Sequence, residues 1–330
     1  MTVTLQQLLV EGAEQLKQAE VPEAELDARY LLMEAFGLSA SDFLLKRMEP
    51  MDCLPGVEGE AGKLAGEIDG GAGKLARELD GRAGKSAQAI AVYREMIEKR
   101  SRRIPLQYIT GVQYFMGLEF FVDERVLIPR QDTEDLVELV LRENPGKETR
   151  VLDMCTGSGC IAVSLAALGG YGQVTAVDVS DGAICVAQEN AKRLSVSDQV
   201  RVVKSSLYEE RAEILGSGEA RYQVIVSNPP YIPTDVIKGL QPEVRDYEPS
   251  LALDGTADGL YFYRKLALDS REFLTPGGRL YLEIGYDQGG AVSSLLRDAG
   301  YTDIQVIKDT PGLDRIVKAG YKQDIGGSHV

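Results

Sequence analysis

From residue 150 onward, short apolar runs alternate with segments of helical periodicity. That alternation restricts this part of the chain to a largely parallel sheet covered by helices on both faces. RVLDM (150–154), QVTAVDV (173–179), VRVVKS (200–205), YQVIVSN (222–228), GRLYLEIG (278–285) and DIQVIKD (303–309) read as strands. GCIAVSLAALG (159–169), DGAICVAQENAKRL (181–194), DGLYFYRKLALDSREFL (258–274) and QGGAVSSLLRDAG (288–300) read as helices. Sheets of this kind bind ligands beyond the carboxyl ends of their strands, so those ends are where function is sought.

The first strand runs through VLDMCTGSGC (151–160) into a glycine-rich turn and a helix. Gly157 and Gly159 can take positive φ and let backbone approach a ligand. The N–H groups that open the helix suit a carboxylate or a phosphate. Asp153, at the strand end, is placed either to bond a cationic amino group or to order the loop. Asp178 ends the second strand about twenty residues beyond Gly157, where such folds carry a ribose-binding acid. Two functional readings share this loop. Gly157-Ser158-Gly159-Cys160-Ile161-Ala162 satisfies the loose G-x-G-x-x-A pattern of a dinucleotide site. The preceding acid and the TGSG turn suit S-adenosylmethionine better, because no pyrophosphate has to be cradled. A βα turn with incidental glycines is the plain structural alternative.

The fourth strand ends in Asn228-Pro229-Pro230-Tyr231. Two prolines cannot donate to a sheet ladder, so they stiffen the chain and leave nearby carbonyls free to accept. Asn228 adds a side-chain carbonyl and Tyr231 a flat ring. Methylating a planar NH2 group calls for such a set. Its lone pair is delocalised, and two acceptors (the Asn228 side chain and the Pro229 carbonyl) would fix the nitrogen in line with the methyl donor. A proline-terminated loop is the plain alternative. The position of these residues, downstream of the glycine loop and of Asp178 on the ligand-binding edge, favours the chemical reading.

Composition narrows the chemistry further. The one histidine, His329, lies in a polar tail, which removes Ser-His-Asp and Cys-His catalysis and histidine metal sites. Four cysteines (Cys53, Cys155, Cys160 and Cys185) form no CxxC pair, and no metal is expected. Cys160 and Cys185 are expected in the core. A formal charge of −15 opposes tight binding to nucleic acid and points to a protein or small-molecule partner. The basic run KRSRR (99–103) reads as a solvated helix end. The opening MTVTLQQLLVEGAEQLKQAE has no signal-peptide pattern, and no apolar run reaches the ~18–20 residues that span a bilayer. A cytoplasmic protein with no membrane partner is expected.

Ahead of the α/β region, helical stripes at Leu5, Leu8, Leu9, Ala13, Leu16 and at Leu26, Ala28, Leu31, Leu32, Ala35, the latter ended by Gly37, predict a helical hairpin or small bundle. AGKLAGEIDGG (61–71) and AGKLARELDGR (72–82) form an eleven-residue tandem repeat whose glycines disfavour a firm helix. It is expected to be a tolerated surface insertion. Residues 87–100 return to helix pattern, and 105–130 read as short strands with turns at Gly111 and Gly117.

PLQYITG (105–111), FMGLEF (115–120), VLIPRQDTEDLV (126–137) and YEPSLALDGTADGLYFYR (247–264), together with the Asn-Pro-Pro-Tyr motif, the glycine loop and Asp178, resemble the HemK/PrmC family. That family comprises release-factor glutamine N5-methyltransferases, and the resemblance covers most of the chain apart from the repeats. It implies an α/β class I S-adenosylmethionine-dependent methyltransferase with a Rossmann-like seven-stranded sheet ending in an antiparallel hairpin. It also implies an N-terminal helical-bundle domain that helps dock the release factor, and a linking β-hairpin. The expected organisation is a helical domain over 1–104 with the insertion around 55–86, a hairpin linker over 105–129, a catalytic domain over 130–322 and a flexible tail over 323–330.

Carried over by position, Cys155, Thr156, Gly157, Ser158 and Gly159 would line the methionine part of S-adenosylmethionine, and Asp153 and Asn228 are also expected to bind the cofactor. Asp178 would hold the ribose, Leu207 would lie near the adenine, and Asn228, Pro229, Pro230 and Tyr231 would grip the substrate glutamine. Cys155 stands where a glycine is common, Ser206 where an Asp is usual, and GSGEA (216–220) lengthens a connection. Arg130 faces cofactor or substrate in one reading and is a structural ion-pair partner in another. Glu134 is expected to cap or begin a helix. Glu283 and Tyr286 end the fifth strand and could border the site. Competing functions are glutamine methylation of a ribosomal protein, adenine-N6 methylation of nucleic acid, NAD-dependent oxidoreduction and a non-catalytic binding role.

Overall fold

The computed structural model describes residues 3–49, 82–216 and 220–322, with side chains in the second stretch from residue 86. The tandem repeats through residue 81, Cys53, the centre of GSGEA and the tail with His329 lie outside the described residues. The chain divides into two compact units, Met1–Thr110 and Gly111–Val330.

The first unit contains α1 (Leu5–Gln18), α2 (Ala24–Phe36), α3 (Ala40–Lys46), α4 (Arg82–Ser101) and α5 (Leu106–Thr110). A capping box opens α1. The Thr4 hydroxyl accepts from the Gln7 N–H at 3.2 Å, and Gln7 Oε1 accepts from the Thr4 N–H at 2.9 Å. Gly37, at φ 57°, ends α2 as the sequence predicts. Leu5, Leu8 and Leu16 pack with Leu31, Leu32, Tyr93 and Ile97 in one apolar core. Gly12 is required there, because a Cβ would lie 2.0 Å from the Tyr93 hydroxyl oxygen.

Two expectations fail in this unit. The run KRSRR is not all solvated: Arg100 is buried and its Nε donates to Asp27 Oδ2 at 2.7 Å. A helix-end cation thus serves as a core ion pair because α2 brings a carboxylate beside it. Residues 106–110 form helix rather than strand, since Pro105 pre-sets the turn and its carbonyl accepts from the Tyr108 and Ile109 N–H groups.

In the second unit, β1 (Val112–Phe115) and β2 (Leu118–Phe121) make an antiparallel hairpin. Its two-residue turn, Met116 and Gly117, has positive φ at both positions, the geometry that matches strand twist. The remaining elements are α6 (Gln131–Glu143), β3 (Arg150–Met154), α7 (Cys160–Gly169), β4 (Gln173–Asp178), α8 (Asp181–Arg193), β5 (Val200–Lys204), α9 (Arg211–Leu215) and β6 (Tyr222–Ser227). Short helices α10 (Thr234–Ile237), α11 (Pro242–Tyr247) and α12 (Ser250–Leu253) follow, then α13 (Tyr261–Asp269), β7 (Leu274–Glu283), α14 (Gly289–Asp298), β8 (Thr302–Lys308) and β9 (Asp314–Gly320).

The sheet has seven strands in the order β5-β4-β3-β6-β7-β9-β8; β9 runs antiparallel to both of its neighbours and the other pairs are parallel. The strand pattern of the sequence yields six strands. The seventh, β9, lies between β7 and β8. Side chains alternate between two cores, with Leu152, Ile225 and Leu282 on the face of α13 and α14, and Val151, Val224 and Tyr281 on the face of α6 and α7.

Candidate active site

Strand order reverses at β3, and a cavity of about 310 Å³ opens at the carboxyl ends of β3, β4, β5 and β6. Its wall brings together Cys155, Thr156, Gly157 and Ser158 from the turn after β3, Asp178 from β4, Ser206 and Leu207 after β5, and Asn228 and Pro230 after β6. Arg130, just before α6, completes that set, while Pro249, Leu251, Ala252, Tyr261 and Phe262 form an apolar side. Asp153, Gly159, Pro229 and Tyr231 are not among the lining residues; the first three are buried and Tyr231 is half-buried.

Asp153 is fully buried and staples the turn to α7, with its Oδ2 accepting from Thr156 Oγ1 at 2.5 Å and from the Ala162 N–H at 3.1 Å. Burial pushes its pKa up to about 7 against those hydrogen bonds, and the nearby Asp178 pushes the same way. Asp178 in turn accepts from the Gly157 N–H at 2.9 Å through Oδ2 and from the Ser180 N–H at 3.0 Å through Oδ1. Burial raises its pKa too, opposed by these backbone donors. Two desolvated carboxylates therefore sit under one side of the cavity. The arginines on the wall do not offset them directly: Arg125 is paired with Asp123 and Arg130 with Glu248.

Gly159 sits at φ 79°, where a Cβ would come within 3.1 Å of the Ala187 Cβ, so helix α8 packs against bare backbone. Cys155 and Leu207 adopt φ 61° and φ 51°, left-handed conformations that non-glycine residues rarely hold. Burial drives the Cys155 thiol far up, which leaves it without nucleophilic character.

Asn228 Nδ2 donates to Thr133 Oγ1 at 3.2 Å, and the Thr133 hydroxyl donates to Glu283 Oε2 at 2.6 Å. The Tyr231 hydroxyl donates to Glu283 Oε1 at 3.4 Å, so its polar end turns toward the strand end rather than into the cavity. The Gln288 side-chain amide donates to the Tyr231 carbonyl at 3.0 Å. Gly255 and Gly259 let the neighbouring loop close on the Tyr231 backbone, since a Cβ at Gly259 would lie 2.4 Å from its carbonyl oxygen.

The family model described as "Methyltransferase small domain" matches residues 132–238, and that described as "PrmC N-terminal domain" matches residues 7–53. A release factor glutamine methyltransferase of Geobacter sulfurreducens is 46% identical over 230 residues, covering 70% of this chain and 78% of that protein. Another, of Caulobacter vibrioides, is 35% identical over 318 residues, 96% of each chain. The chain belongs to the release factor glutamine methyltransferase family.

The methyltransferase has a class I fold, and among its described residues no helix is long and apolar enough to cross a membrane. Some residues meet the sequence reading and others correct it. Arg130 Nη2 donates to the buried Glu248 at 2.5 Å, which ties the VLIPR segment to YEPS. Glu134 stands in the first turn of α6, as expected, but its side chain accepts from the Met116 N–H of the hairpin at 2.5 Å rather than capping the helix. Cys160 is buried as expected, but Cys185 is exposed on α8. Tyr286 is exposed as well. Thr133 is the functional candidate that the sequence reading leaves out, and Glu283 is one that it places at the border of the site without a role. Glu283 does stand at the end of an apolar strand, which is the available signal, but Thr133 reads only as part of a helix start.

Proposed function

We propose that this enzyme transfers a methyl group from S-adenosylmethionine to the side-chain amide nitrogen (N5) of the glutamine in the Gly-Gly-Gln motif of peptide-chain release factors, in the cytoplasm. One observation carries the reading: Asn228 shares a single cavity with Gly157 and Asp178 in a chain of this family. The cofactor fits the residues present. Buried carboxylates on one side suit a ligand bearing a sulfonium and an ammonium group. The Gly157 N–H is already bound to Asp178, so the turn is ill suited to cradle a pyrophosphate. That favours S-adenosylmethionine over a nicotinamide dinucleotide.

Asp178 would hold the ribose hydroxyls with its remaining lone pairs, Leu207 would cover the adenine, and Ser206 would stand beside it. Cys155, Thr156, Gly157 and Ser158 would border the methionine part, on a turn held by Asp153 and Gly159. When bound, S-adenosylmethionine supplies an electrophilic methyl group on its sulfonium. Asn228 Oδ1 and the Pro229 carbonyl would each accept one N–H of the substrate amide, fixing its nitrogen toward that methyl. As positive charge grows on the nitrogen, both acceptors bind it more strongly than in the ground state, and one of its two protons would then pass to water, leaving the N-methyl amide. Pro230 keeps the segment stiff, and the Tyr231 ring would back the substrate amide. Arg130, engaged by Glu248, would shape the wall rather than carry charge to substrate.

The test is intact-mass measurement of a purified release factor incubated with S-adenosylmethionine and either the wild-type enzyme or Asn228→Ala. One added methyl on the Gly-Gly-Gln glutamine, lost in the variant, is expected. No gain with the wild type despite cofactor binding would sink the substrate assignment.

A further inference from the structure

Glu283 lies outside the cavity wall yet is 1% exposed, with both carboxylate oxygens turned toward groups that do touch the site or support it. Its environment is set by four elements. Thr133 and Asp132 face it from α6, Tyr231 from the segment after β6, and Arg315 from β9. The Tyr263 hydroxyl, from α13, bonds the Glu283 backbone carbonyl at 2.8 Å. Arg315 is itself held by Asp132 at 3.0 Å and Asp309 at 3.1 Å, so it makes no direct ion pair with Glu283.

A threonine hydroxyl has one hydrogen to donate and lone pairs to accept with. At 2.6 Å from a buried carboxylate, which can only accept while ionised, the Thr133 hydrogen is committed to Glu283. Thr133 Oγ1 can then only accept from Asn228, so the Asn228 side chain must present its NH2 to Thr133 at 3.2 Å. Its carbonyl Oδ1 is thereby left for the cavity.

We propose that Glu283 is a positioning residue which, through Thr133, sets the orientation of the Asn228 amide so that an acceptor rather than a donor faces the substrate NH2. The proposal rests on the clamp being the substrate-amide site. Were the Asn228 amide turned over, two NH2 groups would oppose each other where a hydrogen bond is needed, and the amide nitrogen would lose its alignment. Glu283→Gln tests this because it is nearly isosteric. Glutamine can present its own NH2 to Thr133, which releases the hydroxyl hydrogen toward Asn228 Oδ1 and turns the amide over.

Two readouts on the full-length enzyme separate failure of this relay from failure of the substrate assignment. In the first, the protein is labelled with 15N-asparagine and the Asn228 side-chain NH2 signals are assigned with Asn228→Ala. Slow solvent exchange is expected in the wild type, and fast exchange in Glu283→Gln and Thr133→Val. Unchanged shifts and exchange in Glu283→Gln would overturn the relay, whatever the substrate. In the second, methyl transfer to a release factor is followed. Glu283→Gln is expected to lower kcat by at least about tenfold while cofactor affinity stays within about twofold. Thr133→Ser, which keeps the hydroxyl, should recover most of the rate lost in Thr133→Val.

The pH profile adds a signature that a merely structural role would not produce. Burial holds the Glu283 carboxyl up at about 7, so lowering the pH through that value adds a proton and frees the direction of the relay. The wild-type rate should fall on that acid limb, and the limb should vanish in Glu283→Gln. A limb that persists unchanged in Glu283→Gln belongs to Asp153, also held up at about 7, and counts against the relay.

Discussion

The backbone N–H of Gly157 donates to Asp178 Oδ2 at 2.9 Å, so the acid at the end of β4 holds the glycine turn that follows β3. One carboxylate therefore shapes the loop and stands on the cavity wall. Removing it affects both. Asp178→Ala is expected to weaken binding of S-adenosylhomocysteine by about 10- to 100-fold, the range for losing one or two hydrogen bonds to a charged group. Isothermal titration calorimetry gives the answer, and affinity within about twofold of wild type would refute the assigned role.

Cys155 occupies φ 61°, where an L side chain meets a carbonyl oxygen at a cost of about 1–2 kcal/mol. Glycine relieves that strain but gains freedom in the unfolded chain, an offset of about 0.5–1 kcal/mol. Cys155→Gly should therefore leave stability unchanged or raise it by up to about 1 kcal/mol. A β-branched residue tolerates positive φ least, so Cys155→Val should destabilise the fold. Urea unfolding of the two variants beside the wild type measures the difference, and equal losses from both would show that strain at this position is not what matters.

Asp153 has a folded pKa of about 7, far above the ~3.9 of an unfolded chain. Between those values the native state binds the proton more tightly than the unfolded state does. Stability should thus fall as pH rises from about 4 to about 7 and level off above that. Glu283 acts in the same sense. In Asp153→Asn the loss of unfolding free energy between pH 5 and pH 8 should shrink by about 2–3 kcal/mol. A loss as large in the variant as in the wild type would assign the slope to other groups.

Arg100 and Asp27 form a buried pair in the helical unit, with side chains 7% and 9% exposed. Asp27→Ala leaves a buried guanidinium without its counter-charge, and a loss of about 3–5 kcal/mol is expected. The exposed pair Arg94–Glu11 should cost less than about 1 kcal/mol when Glu11 is replaced by alanine. Chemical denaturation of both variants tests the contrast. Comparable losses would mean that burial does not set the worth of these pairs.

The cavity wall was readable along the chain to a considerable degree. Gly157, Asp178, Leu207 and Asn228 were picked out from strand ends, glycine spacing and a family resemblance, and the structure brings all four to one cavity. The supporting residues were not readable. Thr133 lies 150 residues from Glu283, and Arg130 lies 118 from Glu248. The strand pattern alone misses β9, because its charged and small residues, Asp314, Arg315, Lys318 and Ala319, interrupt the apolar run that marks the other strands; only the family resemblance implies the seventh strand and its antiparallel pairing.

Periodicity, turn residues and strand-end motifs are local, because side-chain direction and backbone sterics act over a few residues. They determine that this chain forms helices first, then a parallel α/β sheet with its chemistry at the strand ends. Which carboxylate meets which hydroxyl is another matter. The orientation of the Asn228 amide depends on α6, β6 and β7 meeting at one point, and the burial of Arg100 depends on α2 lying beside α4. Those contacts join residues remote along the chain, and their energies come from desolvation and hydrogen-bond geometry that exist only once the elements pack.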